Sequence, residues 1–232
     1  MKATSVEIGL PGATGAPAGP AINVSLDYPA MLRFGADLAA RATIVVLFSI
    51  MAVRFGSDFM ATGRLTGLFL LASEALVVVL TVFRRSAVTV DRSVKARVLT
   101  IVSILGPPLL APAAVAPLAA EGLTVALSCA GLAVVIAGKI TLGRSFALLP
   151  ANRGVVSNGL YKVVRHPIYM GYLVTHVAFL VASPSLWNIV ALIAADAALL
   201  VRAVCEEQTL AQDPAYRDYQ TRVRWRVVPG VF

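Results

Sequence analysis

The sequence predicts an all-α integral membrane protein with about six transmembrane helices. Three observations carry that expectation. The 232 residues are 58% hydrophobic and 14% charged, with a mean hydropathy of +0.81, too apolar for a chain that must present a solvated surface. The apolar residues fall into runs approaching the roughly 20 residues that span a bilayer as a helix, the conformation that satisfies its own backbone where lipid offers no partners. Lys and Arg stand in short clusters between those runs, while most aromatics lie inside them. The formal charge of +8 and the pI near 10.0 therefore read as positive-inside topology and not as a nucleic-acid surface.

Taken in order, residues 1–30 are rich in Gly, Pro and Ala, and Lys2 is their first cation. They fit neither a signal peptide nor a span and are expected to form a flexible arm. Gly12 and Gly15 follow no strand, which argues against a dinucleotide loop. The first apolar run, 38–53, is entered through Arg33 and Arg41, and the second covers 65–83. Arg84, Arg85, Arg92, Lys95 and Arg97 then make the densest basic loop of the first half, expected on the cytoplasmic side. The third run, 98–118, carries Gly106-Pro107-Pro108 in its middle, where proline removes a backbone donor and is expected to bend the helix.

The fourth run covers 122–142. The connector before it holds Glu121 and no cation, whereas Arg144, Arg153, Lys162 and Arg165 follow it, and these opposite loop signs give an even-numbered topology. The fifth and sixth runs, 168–182 and 186–200, are each short and are separated by Ser183-Pro184-Ser185. A tight helical hairpin is expected there, followed by a polar tail from Arg202 onward. The expected organisation is thus an arm (1–30), N-terminal transmembrane helices (31–142) and a C-terminal core (143–232), with both termini cytoplasmic and a bacterial inner membrane as the location.

Isolated polar residues inside the runs need separate reading. Glu74 and Asp196 are costly in hydrocarbon and should face protein or water; Glu74 is a candidate for a substrate or helix-pairing role, or else a protonated, packed carboxyl. His176 is expected to be a hydrogen-bonded packing residue, and Lys139 to snorkel. Cys129 and Cys205 have no metal-ligand spacing and are expected to be small buried hydrophobes.

The connector after the fourth run and the tail after the sixth should share one membrane face, and both are crowded with ionisable and aromatic residues. Gly159-Leu160-Tyr161 precedes Arg165-His166-Pro167-Ile168-Tyr169-Met170-Gly171, which leads into the fifth run. Pro167 suits a first helical turn, where its missing amide hydrogen costs nothing. Arg165, His166 and free amides at such a helix start could hold a carboxylate or phosphate. In the second cluster, Arg202 and Glu206 lie one turn apart, and Glu207 points about 100° away from Glu206. Two carboxylates at a bilayer boundary can bind an amine or ribose hydroxyls, or can form a solvated helix end with one weak ion pair.

Together the two clusters resemble the signature of the isoprenylcysteine carboxyl methyltransferase family, itself similar to the phospholipid methyltransferases. The resemblance lies in Arg165-His166-Pro167-x-Tyr169-x-Gly171, an apolar hairpin, then Arg202-x-x-x-Glu206-Glu207-x-x-Leu210. Gly143-Arg144-Ser145-Phe146 with Gly154, and the tail residues Tyr216, Tyr219, Arg226 and Pro229, extend it over roughly 140–232. Asp213-Pro214 departs from the Phe-Gly that relatives often carry.

The resemblance implies transfer of a methyl group from S-adenosylmethionine to a lipophilic acceptor such as a prenylcysteine carboxylate, with membrane lipids as surroundings and neither metal nor nucleic acid as partner. It assigns cofactor binding to Tyr161, Arg165, His166, Pro167, Tyr169, Gly171, Glu207 and Leu210. Arg202 and Glu206 become the catalytic candidates, and Arg226, Tyr219 and Glu74 the substrate candidates. A carboxylate acceptor is ionised at pH 7 and needs only orientation, by Arg202 held by Glu206; an amine must lose a proton, which would make Glu206 a base. A lipid amine or small thiol remains an alternative acceptor. The rival readings are a nicotinamide-dependent membrane reductase, whose C-terminal region is similar, and a small transporter or scaffold centred on Glu74 and Asp196.

Overall fold

In the computed structural model the backbone is described for residues 28–82, 89–90, 93–142, 151–152 and 155–232, and side chains for 42–75, 93–142 and 155–232. Most of the expected N-terminal arm, the arginines at 84, 85 and 92, and the motif approach at 143–146 lie outside the described residues. The chain divides into two compact units, Met1–Val45 and Val46–Phe232. The first contributes the start of helix α1 (Tyr28–Thr62), and everything that follows concerns the second.

After α1 come α2 (Thr66–Val82), β1 (Thr89–Val90), α3 (Val94–Leu109), α4 (Glu121–Leu142), β2 (Ala151–Asn152), a 3-10 turn (Gly159–Lys162), α5 (Pro167–Ala182), α6 (Leu186–Leu210) and α7 (Pro214–Arg222). Each predicted apolar run contributes to a helix, although the third, 98–118, is helical only as far as Leu109. Three stretches, Ala42–Thr62, Glu121–Leu142 and Leu186–Leu210, are long and apolar enough to cross a membrane, and Thr66–Ala75 and Pro167–Ala182 are shorter apolar helices. The protein is an all-helical integral membrane protein. Gly63 ends α1 at φ 75°, a left-handed value that glycine adopts without steric cost, and its amide bonds Phe59 O at 2.8 Å.

Two expectations about the helices need correction. Pro107 and Pro108 do not bend the middle of a long helix; they occupy the last turn of α3, which stops at Leu109, and 110–120 is irregular. Proline has no amide to bond the carbonyl four residues back, so the helix stops within a turn, and the carbonyls at and past its end find other partners: Asn188 donates to Ala111 O at 2.9 Å and Trp187 to Leu109 O at 2.8 Å. The sixth helix is not short. It continues to Leu210, so Arg202, Glu206 and Glu207 are helical and the polar tail begins after them. At 25 residues α6 is about 37 Å long, more than the roughly 30 Å hydrocarbon layer, so its last turns reach the boundary.

The main helix contacts pair α4 with α5 and α3 with α6, while α2 lies on α4 and α5. Close approach needs small residues. A Cβ on Gly171 would stand 2.7 Å from Gly131 O and 2.6 Å from Val135 Cγ2 of α4, and one on Gly106 of α3 would collide with the Ala195 side chain of α6. Thus α5 and α6 follow each other through Ser183-Pro184-Ser185, but the expected tight hairpin is loose: each helix packs mainly on another partner.

Loop contacts sort the connections onto two sides. On one side, Leu65 N bonds Glu121 Oε1 at 3.1 Å, Thr66 and Thr124 hydroxyls meet at 3.1 Å, and Leu118 N bonds Val181 O at 2.9 Å. On the other, β1 and β2 pair antiparallel with Thr89 opposite Asn152. That pairing joins the connection after α2 to the connection after α4, the two connections that the charge pattern assigned to one face.

Candidate active site

The site is built where the start of α5, the end of α6 and the C-terminal segment meet. Pro167 occupies the first turn of α5, as its fixed φ favours, and His166 is the N-cap. The strand-like tail lies along the approach to α5: Val164 and Trp225 form a parallel bridge, Arg165 N bonds Trp225 O at 2.9 Å and His166 N bonds Arg226 O at 2.7 Å. The amides of Arg165 and His166 are therefore committed to the tail. The tail is folded back on itself, with the amides of Arg226, Val227 and Val228 all bonding Phe232 O at 2.9–3.0 Å.

Glu207 is the node. Its carboxylate accepts from Arg165 Nε at 2.7 Å on Oε1 and from Arg165 Nη2 at 3.1 Å on Oε2, a bidentate pair. His166 Nε2 is 3.2 Å from Oε1, and Arg226 Nε and Gln220 Nε2 reach Oε2 at 2.9 and 3.4 Å. Five donors fill the roughly four lone-pair sites of a carboxylate, so an ordinary fifth partner such as a ligand ammonium finds no vacancy. Arg165 is equally committed, since its Nη1 also donates to Val223 O at 2.8 Å and Arg224 O at 3.3 Å. Residues 41 and 42 positions apart are brought into direct contact here.

Glu206 makes a second, more open node. Its Oε1 accepts from Tyr169 Oη at 2.8 Å and from Arg202 Nε at 3.1 Å, while Oε2 faces His166 Nδ1 at 3.7 Å, beyond hydrogen-bond range. The Tyr169 ring stacks on His166 at 5.2 Å between centroids and supports the Arg202 guanidinium at 5.5 Å. Among the cations on these carboxylates Arg226 is the most open, with 36% of its side chain accessible against 8% for Arg165 and 6% for Arg202.

An aromatic wall adjoins the nodes. Tyr161, Tyr216, Tyr219 and Val223 form one buried cluster, with Leu210 packed against it. Tyr219 Oη donates to Tyr161 O at 2.7 Å. Burial raises the Tyr161 and Tyr216 phenols well above their usual range and pushes Tyr219 up to about 12, so all three remain neutral at physiological pH. Gly159, at φ 54°, starts the turn that delivers Tyr161. Asp213-Pro214, the departure from the resembled pattern, is a helix start: Asp213 caps α7 by accepting from Ala215 N at 2.9 Å, and Pro214 takes the first turn.

Of the sequence-derived site residues, Tyr161, Arg165, His166, Pro167, Tyr169, Arg202, Glu206, Glu207, Leu210, Tyr219 and Arg226 converge here. Gly171 and Glu74 do not. Gly171 serves the α4–α5 contact, and Glu74 belongs to a separate cluster inside the helical region, 3.7 Å from His176 Nε2. His176 is hydrogen-bonded as expected, its Nδ1 lying 2.6 Å from Asp196 Oδ1. Lys139 does not snorkel: it is 2% accessible, with Nζ 3.4 Å from Ser73 O and 5.1 Å from the Tyr172 ring centre. Cys205 is buried, whereas Cys129 is exposed. Sequence reasoning missed Gln220 and the carbonyls of Val223 and Arg224, whose only signal was a polar tail of undefined register. No cluster of metal-ligating side chains occurs among the described residues.

The two motif segments, distant in sequence, are thus joined at the end of α6. The sequence model of the isoprenylcysteine carboxyl methyltransferase (ICMT) family matches residues 123–212, from the first turn of α4 to just past the end of α6. The match ends before α7 and the tail, so it does not cover Tyr216, Tyr219 or Arg226, which the structure brings to the same site. No curated protein matches the chain.

Proposed function

We propose that the protein is a membrane-embedded, S-adenosylmethionine-dependent methyltransferase that acts on a lipophilic acceptor, most like a prenylcysteine-type carboxylate. The observation that carries this reading is the junction of the two motifs through Glu207 and Glu206. The donor set fits the cofactor: the accessible Arg226 with His166 suits a carboxylate, Glu206 Oε2 suits an ammonium or ribose hydroxyls, and the neutral tyrosine wall suits a flat base. When bound, that group supplies an electrophilic methyl on a sulfonium.

The chain's own residues supply position and dryness. Glu207 locks Arg165, His166 and the tail into one frame. Arg202, fixed by Glu206 and Tyr169, presents a guanidinium to an acceptor carboxylate, which needs no base at pH 7. Catalysis then rests on alignment in a site with little water. Glu206 Oε2, with no hydrogen-bond donor within range on His166, favours a second reading in which a lipid amine loses its proton to Glu206. In either case the acceptor enters laterally from the bilayer and the site opens to the cytoplasmic side.

The test is purification in mild detergent with methyl-labelled S-adenosylmethionine and a panel of prenylcysteines, lipid amines and thiols. Label on a prenylcysteine carboxylate is the expected result. No label on any acceptor, together with stabilisation by a nicotinamide cofactor, would replace the proposal with a reductase.

A further inference from the structure

A second polar cluster lies among the apolar segments, away from the motif residues. His176 of α5 sits between Asp196 of α6, 2.6 Å from Nδ1, and Glu74 of α2, 3.7 Å from Nε2. Lys139 of α4 and Tyr172 of α5 complete it, and Glu74, His176 and Lys139 are all nearly inaccessible. Ionisable groups are expensive within spans and buried ion pairs contribute little net stability, but they discriminate sharply between alternative helix registers.

We propose that His176 is a positioning residue: clamped by Asp196 and Glu74, it fixes the axial register of α5 against α6 and thereby the placement of His166 and Tyr169 beside Glu206 and Glu207. The inference rests on the methyltransferase reading only for what the site binds. Its structural basis is the division of packing, in which α5 lies chiefly on α4 and α6 chiefly on α3. Apolar side chains of α5 and α6 do meet, Tyr172 near Leu199 and Ala203 in one cluster and Phe179 near Leu192 in another, but apolar surfaces tolerate sliding, whereas a paired charge has one matching height.

Two of the polar pairs between these segments are matched in spacing. Arg165–Glu207 stands at the boundary and His176–Asp196 lies inward, eleven residues away along α5 and its approach, and eleven residues away along α6. Along α6 eleven residues are close to three turns, about 16 Å, so Asp196 and Glu207 lie on one face of that helix, the face that meets α5 and its non-helical approach. A slip of one turn, about 5.4 Å, would break both at once. Glu74 ties the clamp to α2, the third helix on this side, so register is fixed to the bundle as well as to α6.

The test uses the full-length protein in mild detergent, with hydrogen exchange read at the amides of Arg165 and His166 and S-adenosylmethionine affinity read by calorimetry. His176→Gln and Asp196→Ala should each speed exchange at those two amides and weaken binding by about tenfold. Met51→Ala, fully buried on α1 and so on neither α5 nor α6, serves as a control of similar thermal destabilisation and should change neither reading. If a variant cannot be extracted folded, Glu74→Gln, which leaves the Asp196–His176 bond in place, should shift both readings in the same direction by about threefold. Unchanged exchange and affinity in the clamp variants, or equal changes in Met51→Ala, would overturn the clamp. If the wild-type protein binds no S-adenosylmethionine, the methyltransferase reading fails, and the exchange measurement decides the clamp by itself.

Discussion

Replacing Glu207 by Gln leaves shape and volume nearly unchanged while removing the charge on which five donors converge. One oxygen of the amide still accepts, but the new NH₂ faces guanidinium donors that cannot accept from it. The bidentate Arg165 pair, at 2.7 and 3.1 Å, is lost, and Arg165 remains as a cation with only 8% of its side chain accessible. Removing one partner of a buried ion pair costs about 3–5 kcal/mol. In a chain of this size each kcal/mol lowers the melting midpoint by about 2–4 °C, so the variant should melt on the order of 10 °C lower. The tail should loosen first, because Arg226 and Gln220 also lose their acceptor. Thermal unfolding in detergent, with Trp225 fluorescence as the local probe, measures this. A midpoint within about 1 °C of wild type would refute the claim that Glu207 is the node of the site.

Three further outcomes follow from particular contacts. Gly171→Ala places a methyl group against Gly131 O and should destabilise the α4–α5 pair by about 1–3 kcal/mol, visible as a lower melting midpoint. Asn188→Ala removes a fully buried amide that bonds Ala111 O, Ser183 O and Ala111 N, and should cost about 2–4 kcal/mol by the same measurement. Tyr169→Phe keeps the ring stacked on His166 but deletes the 2.8 Å bond to Glu206, so label transfer should slow by about tenfold with little change in melting.

The apolar runs located the helices because lipid leaves the backbone one solution, and Ser183-Pro184-Ser185 marked a turn because proline and capping serines suit it; Ser185 accepts from Asn188 N at 3.2 Å. The end of α6 was misplaced because hydrophobicity stops near Leu200 while the helix does not. Its continuation was nonetheless written in the Arg202 and Glu206 pair, which meets at 3.1 Å as an i, i+4 bridge. The resemblance pointed to convergence of the two motifs, and contacts such as Arg165–Glu207 bear out the meeting. It could not foretell how fully those two side chains saturate each other. Lys139 was misread because a lysine in an apolar run was weighed without Glu74 and Tyr172, which only the packing of α2, α4 and α5 supplies. The parallel bridge between Val164 and Trp225 has no local signal in either segment.

The central claim is that one bilayer-boundary site, closed by His166 from one stretch and by Glu206 and Glu207 from another, holds the methyl donor. Calorimetric titration of S-adenosylmethionine into the detergent-purified protein and its His166→Ala variant tests this most directly. Saturable binding by the wild type, weakened by about tenfold or more in a variant that remains folded, is the predicted result. Equal affinity in the two proteins would contradict it.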